Sequence, residues 1–457
     1  MKGLDLGYLC EKTGGVLLKG TPDISFSGVS IDSRSLLPGQ VFFALKGEKH
    51  DGHQYINQAF ARGAAAAVVC TAGADYHDEI MVLVPDTLEA LQKLAGAYRL
   101  LFDIPLVAIT GSVGKTTTKE ILAQCLGGFL ETLKTPGNFN NDIGLPLTLL
   151  GLEEYHQIGV VELGMRGPGE IRRLASIARP DIAVITNVEP VHLQTLGSLE
   201  NIARAKTEVL SVLSAGNFAV INGDNELLAA AADNYNCTKY TFGYNNTCDF
   251  QVKDVKARLG GLEIAAGFMG QEEFLLFPLP VPSLALDVVA AAAVCYLLRL
   301  DMAGIKTALQ NYKTVDQRLH ISTLQSGAVL IDDTYNANPL SMAAALEAGR
   351  NLRKKGRFIA VLGDMFELGT CEETGHLQVG ARAAAAGVDL LITIGEKAGM
   401  IAAGAANAGM AAEKIKTYAD KESALDHIKE SLGAEDIVLF KASRGMELDK
   451  IIAELEL

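Results

Sequence analysis

The segment VAITGSVGKTTTKEIL, from Val107 to Leu122, constrains the fold of this chain more than any other. An apolar, β-branched run enters a turn that contains two glycines, and helix-forming residues follow the turn. Glycines let successive backbone N–H groups point inward at the positive end of the next helix, which is a site for phosphate. The segment therefore predicts a strand, a phosphate-binding loop and a helix.

The loop departs from the general nucleotide pattern G-x-x-x-x-G-K-[ST], because Ile109 stands where that pattern begins with glycine. Lys115 still follows the turn and is expected to contact the terminal phosphates, while Thr116 offers a hydroxyl to Mg²⁺. A glycine-rich helix start without a ligand is the alternative, and the strand and helix on either side argue against it. The residues expected to contact the nucleotide are Thr110, Gly111, Ser112, Val113, Gly114, Lys115, Thr116 and Thr117.

Bulk composition narrows the class of protein. The chain has 457 residues, 49% of them apolar, and a formal net charge of -14, which argues against binding to nucleic acid or to an acidic membrane surface. Its seven cysteines form no C-x-x-C pair, as is typical of reduced thiols in a cytoplasmic enzyme. The most apolar run, from Val288 to Leu298, is shorter than the roughly 20 residues that a membrane span needs. We expect a cytoplasmic protein without membrane insertion.

The order of strand and helix patterns predicts an α/β fold of three domains. Residues 1–84 read as a small α/β domain, and residues 85–315 as a central domain with a parallel sheet around the phosphate loop. Residues 239–281 have short alternating strands that indicate a small antiparallel addition. Residues 316–457 show a further strand and helix series, which predicts a C-terminal Rossmann-like α/β domain.

Three more residues can carry chemistry beside the loop. Glu162 ends a buried strand and could bind the nucleotide's Mg²⁺, or it could cap the next helix. His192 follows another strand, and in isolation it is more often a hydrogen-bonding residue than a metal ligand. Lys206 lies on a helix that starts at Ser198, where a lysine is usually solvated.

Taken together, these residues resemble the Mur ligase family, whose members use ATP to join an amino acid or peptide to the growing cell-wall precursor. The resemblance covers nearly the whole chain. The segments that carry it are DSRSLLPGQVFFALKGEKHDGHQYI, TGSVGKTTTKE, TPGNFNNDIGLPLTLL, ELGMRGPGEI, VHLQTLGSLENIARAKTE, IDDTYNANPLSM and VLGDMFELG. NFNNDIG and DDTYNANP are the most specific, because sister ligases differ there.

Those two segments resemble the branch of the family that joins D-alanyl-D-alanine to UDP-N-acetylmuramoyl-tripeptide (UDP-MurNAc-tripeptide). The resemblance implies that the terminal carboxylate of the tripeptide attacks the γ-phosphate of ATP, giving an acyl phosphate and ADP. The amine of D-alanyl-D-alanine then attacks the carbonyl and expels phosphate. Two Mg²⁺ ions, Lys115 and Arg318 are expected to stabilise the negative charge.

The resemblance also implies roles for individual residues. Thr116 and Glu162 are expected to hold the nucleotide's Mg²⁺, and His192 the second Mg²⁺. Lys206 matches a lysine that relatives carry as a carbamate formed with CO₂. The further matches are Asp333 and Asn336 to nucleotide contacts, and Asn138, Asn140 and Asn141 to contacts with the sugar-peptide substrate. Ser33, Arg34 and the Asp51-Gly52-His53 loop match the uridine-diphosphate end, with a hydrogen-bonded surface loop as the alternative.

The chain departs from the family at two places. Leu284 stands in a segment where relatives have H-N-x-x-N, whose asparagines are expected to meet the adenine. We expect Leu284 to face the core, with the adenine held by apolar packing and by polar contacts from Asn336, and loosened base selection is the alternative. Gln317 stands before Arg318, where glycine is common.

Other functions stay open at this point. A Mur-type or folylpolyglutamate-type ligase that adds a single amino acid is the near alternative, and a GTPase-like switch would need an N-K-x-D segment, which the chain lacks. A scaffold protein with a non-functional phosphate loop is disfavoured, because the chain retains Lys115, Thr116, Glu162 and His192 together. We expect a monomer, and the sequence does not decide whether the third peptide residue is diaminopimelate or lysine.

Overall fold

The computed structural model describes residues 3–47, 50–71, 79–191, 193–258, 261–315 and 317–456. The chain forms two compact units, one made of Met1–Val188 and Ser198–Thr241 and the other of Glu189–Gly197 and Phe242–Leu457. Parallel sheets with helices packed against them confirm the predicted α/β class. The boundaries of the three domains stay a prediction. Within the described ranges, no helix combines the length and the apolar character that a bilayer crossing requires.

The N-terminal part of the first unit is a small, mostly parallel sheet. Its order is Val16–Leu17, Met81–Leu83, Ala66–Val69, Gln40–Phe43 and Gly28–Ser30, and only the first strand runs antiparallel to its neighbour. The apolar faces of these strands pack under short helices. The other elements of this part are the paired strands Leu4–Asp5 and Ser25–Phe26, the helices Leu6–Thr13 and Ile56–Ala61, and the 3₁₀ turn Gly52–Tyr55.

The sheet around the phosphate loop is parallel, with the order Phe218–Asn222, Ile182–Ile185, Leu106–Thr110, Ile158–Glu162 and Thr132–Lys134. Its middle strands are buried along their whole length, which explains their continuous apolar sequences. Among the described residues, six helices and a 3₁₀ turn accompany these strands, and the first helix begins after the N-cap Asp86. They are Thr87–Arg99, Lys115–Gly127, Gly144–Leu150, Glu170–Ala178, Leu199–Thr207 and Glu226–Ala232, with a 3₁₀ turn at Glu208–Val212.

Strand register decides which side chains meet at the carboxyl edge of this sheet. Glu162 pairs with Ile109, and Ile185 pairs with Thr110 on the other side. The loop that follows Thr110 is therefore flanked by Glu162 on one strand and by the residues after Ile185 on the other. In parallel α/β sheets this edge is where ligands bind.

The second unit begins with the predicted antiparallel addition, which the structure confirms. The strands Phe250–Arg258, Gly261–Phe268 and Gln271–Phe277 form an antiparallel meander, and the end of Thr238–Gly243 pairs parallel with the first of them. The helix Ala285–Leu297 is preceded by the 3₁₀ turn Pro282–Leu284, in which proline occupies the first position, where its missing N–H has no partner to lose. The helices of this part are Leu193–Leu196, Ala285–Leu297 and Met302–Gln310.

The C-terminal sheet has the order His320–Thr323, Val329–Asp332, Ile437–Lys441, Phe358–Gly363, Leu390–Ile394 and Ile415–Tyr418. Only the first strand is antiparallel to its neighbour. The two outer strands were not predicted, since they are short, half-exposed and partly polar. The helices are Pro339–Leu352, Glu372–Ala385, Ala398–Asn407, Lys421–Ser431 and Asp449–Glu456, with 3₁₀ turns at Gly369–Cys371, Ala412–Lys414 and Arg444–Met446.

Candidate active site

Both glycines of the phosphate loop are required by its geometry. Gly111 has φ 148°, and a Cβ atom there would lie 1.9 Å from Thr186 Oγ1. Gly114 has φ 85° and is the N-cap of the helix Lys115–Gly127. Both φ values lie in the region that favours glycine. The two glycines therefore let the backbone turn sharply from the strand Leu106–Thr110 into the helix Lys115–Gly127.

The neighbouring strand braces this loop through two residues that the sequence analysis missed. Thr186 Oγ1 donates to the carbonyl of Val113 at 2.5 Å, and Val113 N donates to Asn187 Oδ1 at 2.9 Å. Ser112 N donates to the carbonyl of Asn187 at 3.1 Å. The available signal was the pair of polar residues directly after the buried strand Ile182–Ile185, at the edge that the loop also occupies.

Lys115 curls back over the loop. Its Nζ donates to the carbonyls of Gly111 at 2.7 Å and Ser112 at 3.0 Å, so its charge lies at the predicted phosphate position. Thr117 is half-buried on the same helix. Thr110 is fully buried, and its hydroxyl donates to the carbonyl of Leu163 at 2.9 Å, which fixes the end of the strand.

Thr116 and Glu162 meet beside the loop. Thr116 Oγ1 donates to Glu162 Oε2 at 2.9 Å, and Asn140 Nδ2 donates to Glu162 Oε1 at 2.7 Å. The Glu162 residue is only 2% exposed, and its own N–H donates to Thr135 Oγ1 at 3.0 Å. A hydroxyl and a carboxylate in this position are oxygen ligands of the kind that Mg²⁺ takes beside phosphates. These residues fit a nucleotide-bound Mg²⁺.

The alternative role of Glu162, as a cap of the next helix, is wrong. The helix Glu170–Ala178 is capped by Glu208, whose Oε1 accepts from Gly169 N at 2.8 Å and whose Oε2 accepts from Arg172 N at 3.1 Å. Glu162 instead holds Thr116 and Asn140. Its carboxylate therefore accepts hydrogen bonds beside the phosphate loop and none from the N-terminus of the helix Glu170–Ala178 among those given above.

Lys206 is buried, so the alternative of a solvated helix lysine is also wrong. The residue is 1% exposed, in the last turn of the helix Leu199–Thr207. Burial, and next the nearby charge of Lys115, lower the pKa of the Lys206 amine well below its usual value, while Glu162 opposes the shift. Lys206 therefore lies close enough to Lys115 and to the Glu162 carboxylate for their charges to act on its amine.

A cluster of charges around the buried Lys119 and Glu120, unrecognised in the sequence, supports the helix that follows the loop. Lys119 Nζ donates to the carbonyl of Thr135 at 2.8 Å and lies 2.9 Å from Glu120 Oε1. Lys134 Nζ lies 2.5 Å from Glu120 Oε2. Burial alone would raise the pKa of Glu120, but the charges of Lys119 and Lys134 outweigh burial and hold this pKa below its usual value. The cluster ties the helix to the segment that leads to Asn140.

The remaining substrate candidates in this unit lie at turns. Asn141 Oδ1 accepts from Ile143 N at 3.1 Å and Gly144 N at 2.9 Å, and Asn138 is exposed. Ser33 Oγ donates to Gln58 Oε1 at 2.7 Å. Arg34 is paired with Asp32, its NH2 group lying 2.8 Å from Asp32 Oδ2. The ligand roles of these residues stay predictions.

The candidate nucleotide residues of the second unit surround a buried ion pair. Asp333 Oδ2 lies 2.6 Å from Lys441 Nζ, which also donates to the carbonyl of Asn336 at 2.8 Å. Burial raises the pKa of the Asp333 carboxyl, and Lys441 opposes that shift. The Arg318 guanidinium lies 4.0 Å from the centre of the Tyr335 ring. Lys441 was missed because it ends a strand whose other residues are apolar.

Two further predictions concern single positions. Leu284 is 7% exposed, so the prediction that it faces the core is confirmed. Gln317 has φ 62°, in the left-handed region, which gives a physical reason for glycine at this position in relatives.

His192, predicted to bind a metal, lies outside the described residues. Among the residues that are described, no group of three or more His, Cys, Asp and Glu side chains could hold a metal ion.

Comparison with known proteins gives matches along the whole chain. The sequence matches the catalytic domain of the Mur ligase family at residues 25–99, the Mur ligase middle domain at residues 109–295 and the Mur ligase glutamate ligase domain at residues 317–444. It is 38% identical over 429 residues to the UDP-N-acetylmuramoyl-tripeptide–D-alanyl-D-alanine ligase of Bacillus subtilis (strain 168), covering 94% of this chain and 93% of that one.

Solved structures agree with these matches. A crystal structure of MurF from Acinetobacter baumannii superimposes with a TM-score of 0.89 at 28% identity, over 100% of this chain and 99% of that one. MurF ligase from Thermotoga maritima, in complex with ADP, gives a TM-score of 0.81 at 30% identity, over 94% of this chain and 97% of that one.

The phosphate loop on a parallel sheet, with a threonine and a carboxylate beside it, defines a nucleotide-binding α/β protein. Similarity to known proteins narrows this class to one family. This chain belongs to the Mur ligase family, and the resemblance inferred from its motifs is confirmed.

Proposed function

We propose that this protein is the ATP-dependent ligase that joins D-alanyl-D-alanine to UDP-MurNAc-tripeptide, forming the UDP-MurNAc-pentapeptide precursor of peptidoglycan. One observation carries the proposal: the Thr116–Glu162 pair lies beside a braced phosphate loop in a chain that matches ligases of this name over almost its full length. The proposal includes action in the cytoplasm and as a monomer.

The chemistry needs ATP because a carboxylate is a poor acylating agent. Transfer of the γ-phosphate to an oxygen of the tripeptide's terminal carboxylate gives an acyl phosphate and ADP. The amine of D-alanyl-D-alanine attacks the acyl carbon, the amide bond forms, and phosphate leaves with the carboxylate oxygen. Lys115 and the N-terminus of the helix Lys115–Gly127 would face the charge that gathers on the transferred phosphate. Arg318 is proposed to approach the same charge.

Two Mg²⁺ ions are part of the proposal. Thr116 and Glu162 would hold one, with Asn140 orienting the carboxylate through its hydrogen bond, and Lys206 and His192 would serve the second. When bound, Mg²⁺ neutralises phosphate oxygens and aligns them for transfer. Glu162 contributes a fixed negative charge at a buried position, so the cation gains an ordered oxygen ligand.

We further propose that Lys206 carries a carbamate. CO₂ reacts with a neutral amine, and burial together with the Lys115 charge lowers the pKa of the Lys206 amine well below its usual value, which favours the neutral form. The nitrogen attacks the carbon of CO₂, an N–C bond forms, and the amine proton leaves to solvent. The product is an anionic oxygen ligand, which suits a position beside a metal better than an ammonium group does.

Other residues take supporting roles in this proposal. Asp333 and Asn336 would contact the nucleotide, and Asn138 and Asn141 the sugar-peptide. Ser33 and Arg34 would bind the uridine-diphosphate end. The proposed domains are residues 1–84, which bind this end of the substrate, the central domain 85–315 and the C-terminal domain 316–457. A ligase that adds a single amino acid is less supported, since relatives with 35% to 38% identity are named for D-alanyl-D-alanine.

A substrate-omission assay tests the function. Purified protein is given ATP, Mg²⁺, UDP-MurNAc-tripeptide and D-alanyl-D-alanine, and released phosphate is measured with each component left out in turn. We expect release only with all four, and no release when L-alanine, glycine or D-glutamate replaces the dipeptide. Release that one of these amino acids supports as well as the dipeptide does would overturn the substrate assignment.

A further inference from the structure

Two arginines of the second unit contact the same tyrosine ring. The Arg318 guanidinium carbon lies 4.0 Å from the centre of the Tyr335 ring, and the Arg444 guanidinium carbon lies 5.1 Å from it. Tyr335 follows the strand Val329–Asp332, and Arg444 begins the 3₁₀ turn after the neighbouring parallel strand Ile437–Lys441. Tyr335 and Arg444 are therefore at the carboxyl edge of the C-terminal sheet, where parallel α/β sheets bind ligands.

Neither guanidinium forms an ion pair with an acidic side chain among the residues that the structure describes. Asp333, which lies two positions before the tyrosine, is already paired with Lys441 at 2.6 Å. Arg444 is exposed and Arg318 is half-buried. Other arginines of the same unit do form ion pairs with carboxylates, namely Arg350, Arg353 and Arg357. The two guanidinium groups therefore offer charged donors without an acidic partner, which is the chemistry that binds an oxyanion.

Gln317 connects the turn around Arg318 to Arg444. Its Oε1 accepts from Arg444 Nη1 at 3.5 Å, and its Nε2 donates to Asp449 Oδ2 at 3.3 Å. The backbone on both sides of Arg318 is left-handed, with φ 62° at Gln317 and φ 48° at Leu319. Glycine would adopt this conformation more readily, but it would lack the side chain that contacts Arg444. Gln317 is therefore a positioning residue for the second guanidinium.

The distance between the two guanidinium groups is suited to a short peptide. With 4.0 and 5.1 Å from the ring centre, the two guanidinium carbons are at most about 9 Å apart. In the proposed function Arg318 approaches the transferred phosphate, beside the carbon that the amine attacks. Two residues of extended chain span roughly 7 Å, and one residue spans about half of that. A dipeptide can therefore extend from the reacting carbon toward Arg444, and a single amino acid reaches less far.

We propose that Arg444 binds the terminal carboxylate of D-alanyl-D-alanine and thereby favours a dipeptide over a single amino acid. The proposal rests on the proposed ligase function, which names this substrate. The reaction consumes the amine of the dipeptide and leaves its carboxylate free for binding. A guanidinium can donate two parallel N–H groups to the two carboxylate oxygens. A phosphate group of the nucleotide is an oxyanion too, so the experiment must separate the two ligands.

Kinetics with an uncharged dipeptide test the proposal. The full chain is given ATP, Mg²⁺, UDP-MurNAc-tripeptide and either D-alanyl-D-alanine or D-alanyl-D-alaninamide, and kcat/KM is measured for each dipeptide. The amide lacks the negative charge, so its kcat/KM should be roughly 10- to 100-fold lower, the range for loss of a hydrogen bond to a charged group. In Arg444→Gln the value for D-alanyl-D-alanine should fall to that of the amide, and the value for the amide should not change.

Three further variants sharpen the result. Arg350→Gln, at an exposed position of the same unit, is the control and should leave both values unchanged. Arg444→Lys keeps the charge without the planar fork and should retain part of the preference for the carboxylate. Gln317→Gly keeps the left-handed backbone and should lower kcat/KM for D-alanyl-D-alanine by a few-fold, with no effect on the amide.

Equal kcat/KM values for the two dipeptides in the unaltered protein would overturn the proposal, and so would an equal loss with both in Arg444→Gln. A higher KM for ATP in Arg444→Gln, with the preference for the carboxylate intact, would assign the residue to a nucleotide phosphate and would also overturn it. Failure of the ligase function gives a different result, which is no phosphate release with D-alanyl-D-alanine in the unaltered protein.

Discussion

Thr116 Oγ1 donates to Glu162 Oε2 at 2.9 Å, joining the first turn of the loop helix to the end of the neighbouring strand. The two residues are 46 positions apart in the chain. The contact places the only hydroxyl in the G-K-T sequence against a buried carboxylate. It gives the predicted Mg²⁺ ligands a common position before any nucleotide binds.

Glu162→Gln should therefore reduce ligase activity strongly while keeping the shape of the side chain. The amide removes the negative charge that would hold the cation, so we expect kcat to fall about 100-fold or more. The Mg²⁺ concentration that gives half-maximal activity should rise. Glu131→Gln, at an exposed position of the same unit, is the matched control. Activity of Glu162→Gln within a few-fold of the unaltered protein would contradict the metal assignment.

Lys206→Ala should be inactive, because the oxygen ligand of the proposed carbamate is lost. Short carboxylic acids such as acetate can occupy the space left by the side chain and should restore part of the activity. Lys206→Arg keeps a cation that cannot react with CO₂, and acetate should not rescue it. NMR of protein equilibrated with ¹³C-labelled CO₂ should show a carbamate signal that Lys206→Ala lacks. Full activity of Lys206→Arg would refute the carbamate.

Glu120 should make stability depend on pH in the acid range. Its pKa in the folded protein lies below the ordinary value of 4.5. Its contribution is therefore fully present above about pH 4.5 and is lost as the pH falls through the folded pKa. Glu120→Gln removes this contribution, so the difference in melting temperature between the two proteins should shrink from about pH 7 to about pH 3.5. A difference that is constant or grows toward acid pH would show that the ion pairs with Lys119 and Lys134 do not stabilise the fold.

Substitution of Leu284 tests whether this position contributes to the selection of adenine over guanine. An apolar side chain cannot hydrogen-bond to adenine, and a lost neutral hydrogen bond is worth roughly 0.5 to 1.5 kcal/mol, so ATP affinity should be lower by at most about ten-fold. We expect the ligase to discriminate ATP from GTP weakly, and Leu284→Asn to sharpen the preference. The ratio of kcat/KM for ATP and GTP measures this. A strong ATP preference that is unchanged in Leu284→Asn would show that position 284 has no part in base choice.

The strand, loop and helix around Lys115 could be predicted because each has a local signature: a β-branched run, glycines with special φ values, and helix formers. The N-cap Asp86 is a similar case, since its side chain accepts from Glu89 N at 2.7 Å, as the local sequence indicates. These features depend on residues that are near each other in the chain. They are therefore visible without knowledge of the tertiary structure.

The contacts that brace the site could not be read in this way. Thr186 reaches Val113 across 73 positions, and this distance leaves no periodic pattern in the sequence. Lys119 and Lys441 are buried although lysine is usually exposed, so composition and spacing place both at the surface. Their positions follow from partners that only the fold supplies, which are backbone carbonyls for Lys119 and the Asp333 carboxylate for Lys441.

The most direct test of the proposed ligase reaction follows oxygen from substrate to phosphate. UDP-MurNAc-tripeptide labelled with ¹⁸O in its terminal carboxylate is incubated with the protein, ATP, Mg²⁺ and D-alanyl-D-alanine. Mass spectrometry then measures the nucleotide pentapeptide and the released phosphate. We predict one pentapeptide for each phosphate, with one ¹⁸O atom in that phosphate, because the carboxylate oxygen leaves with it. Unlabelled phosphate, or ATP hydrolysis without pentapeptide, would contradict the acyl-phosphate ligase reaction.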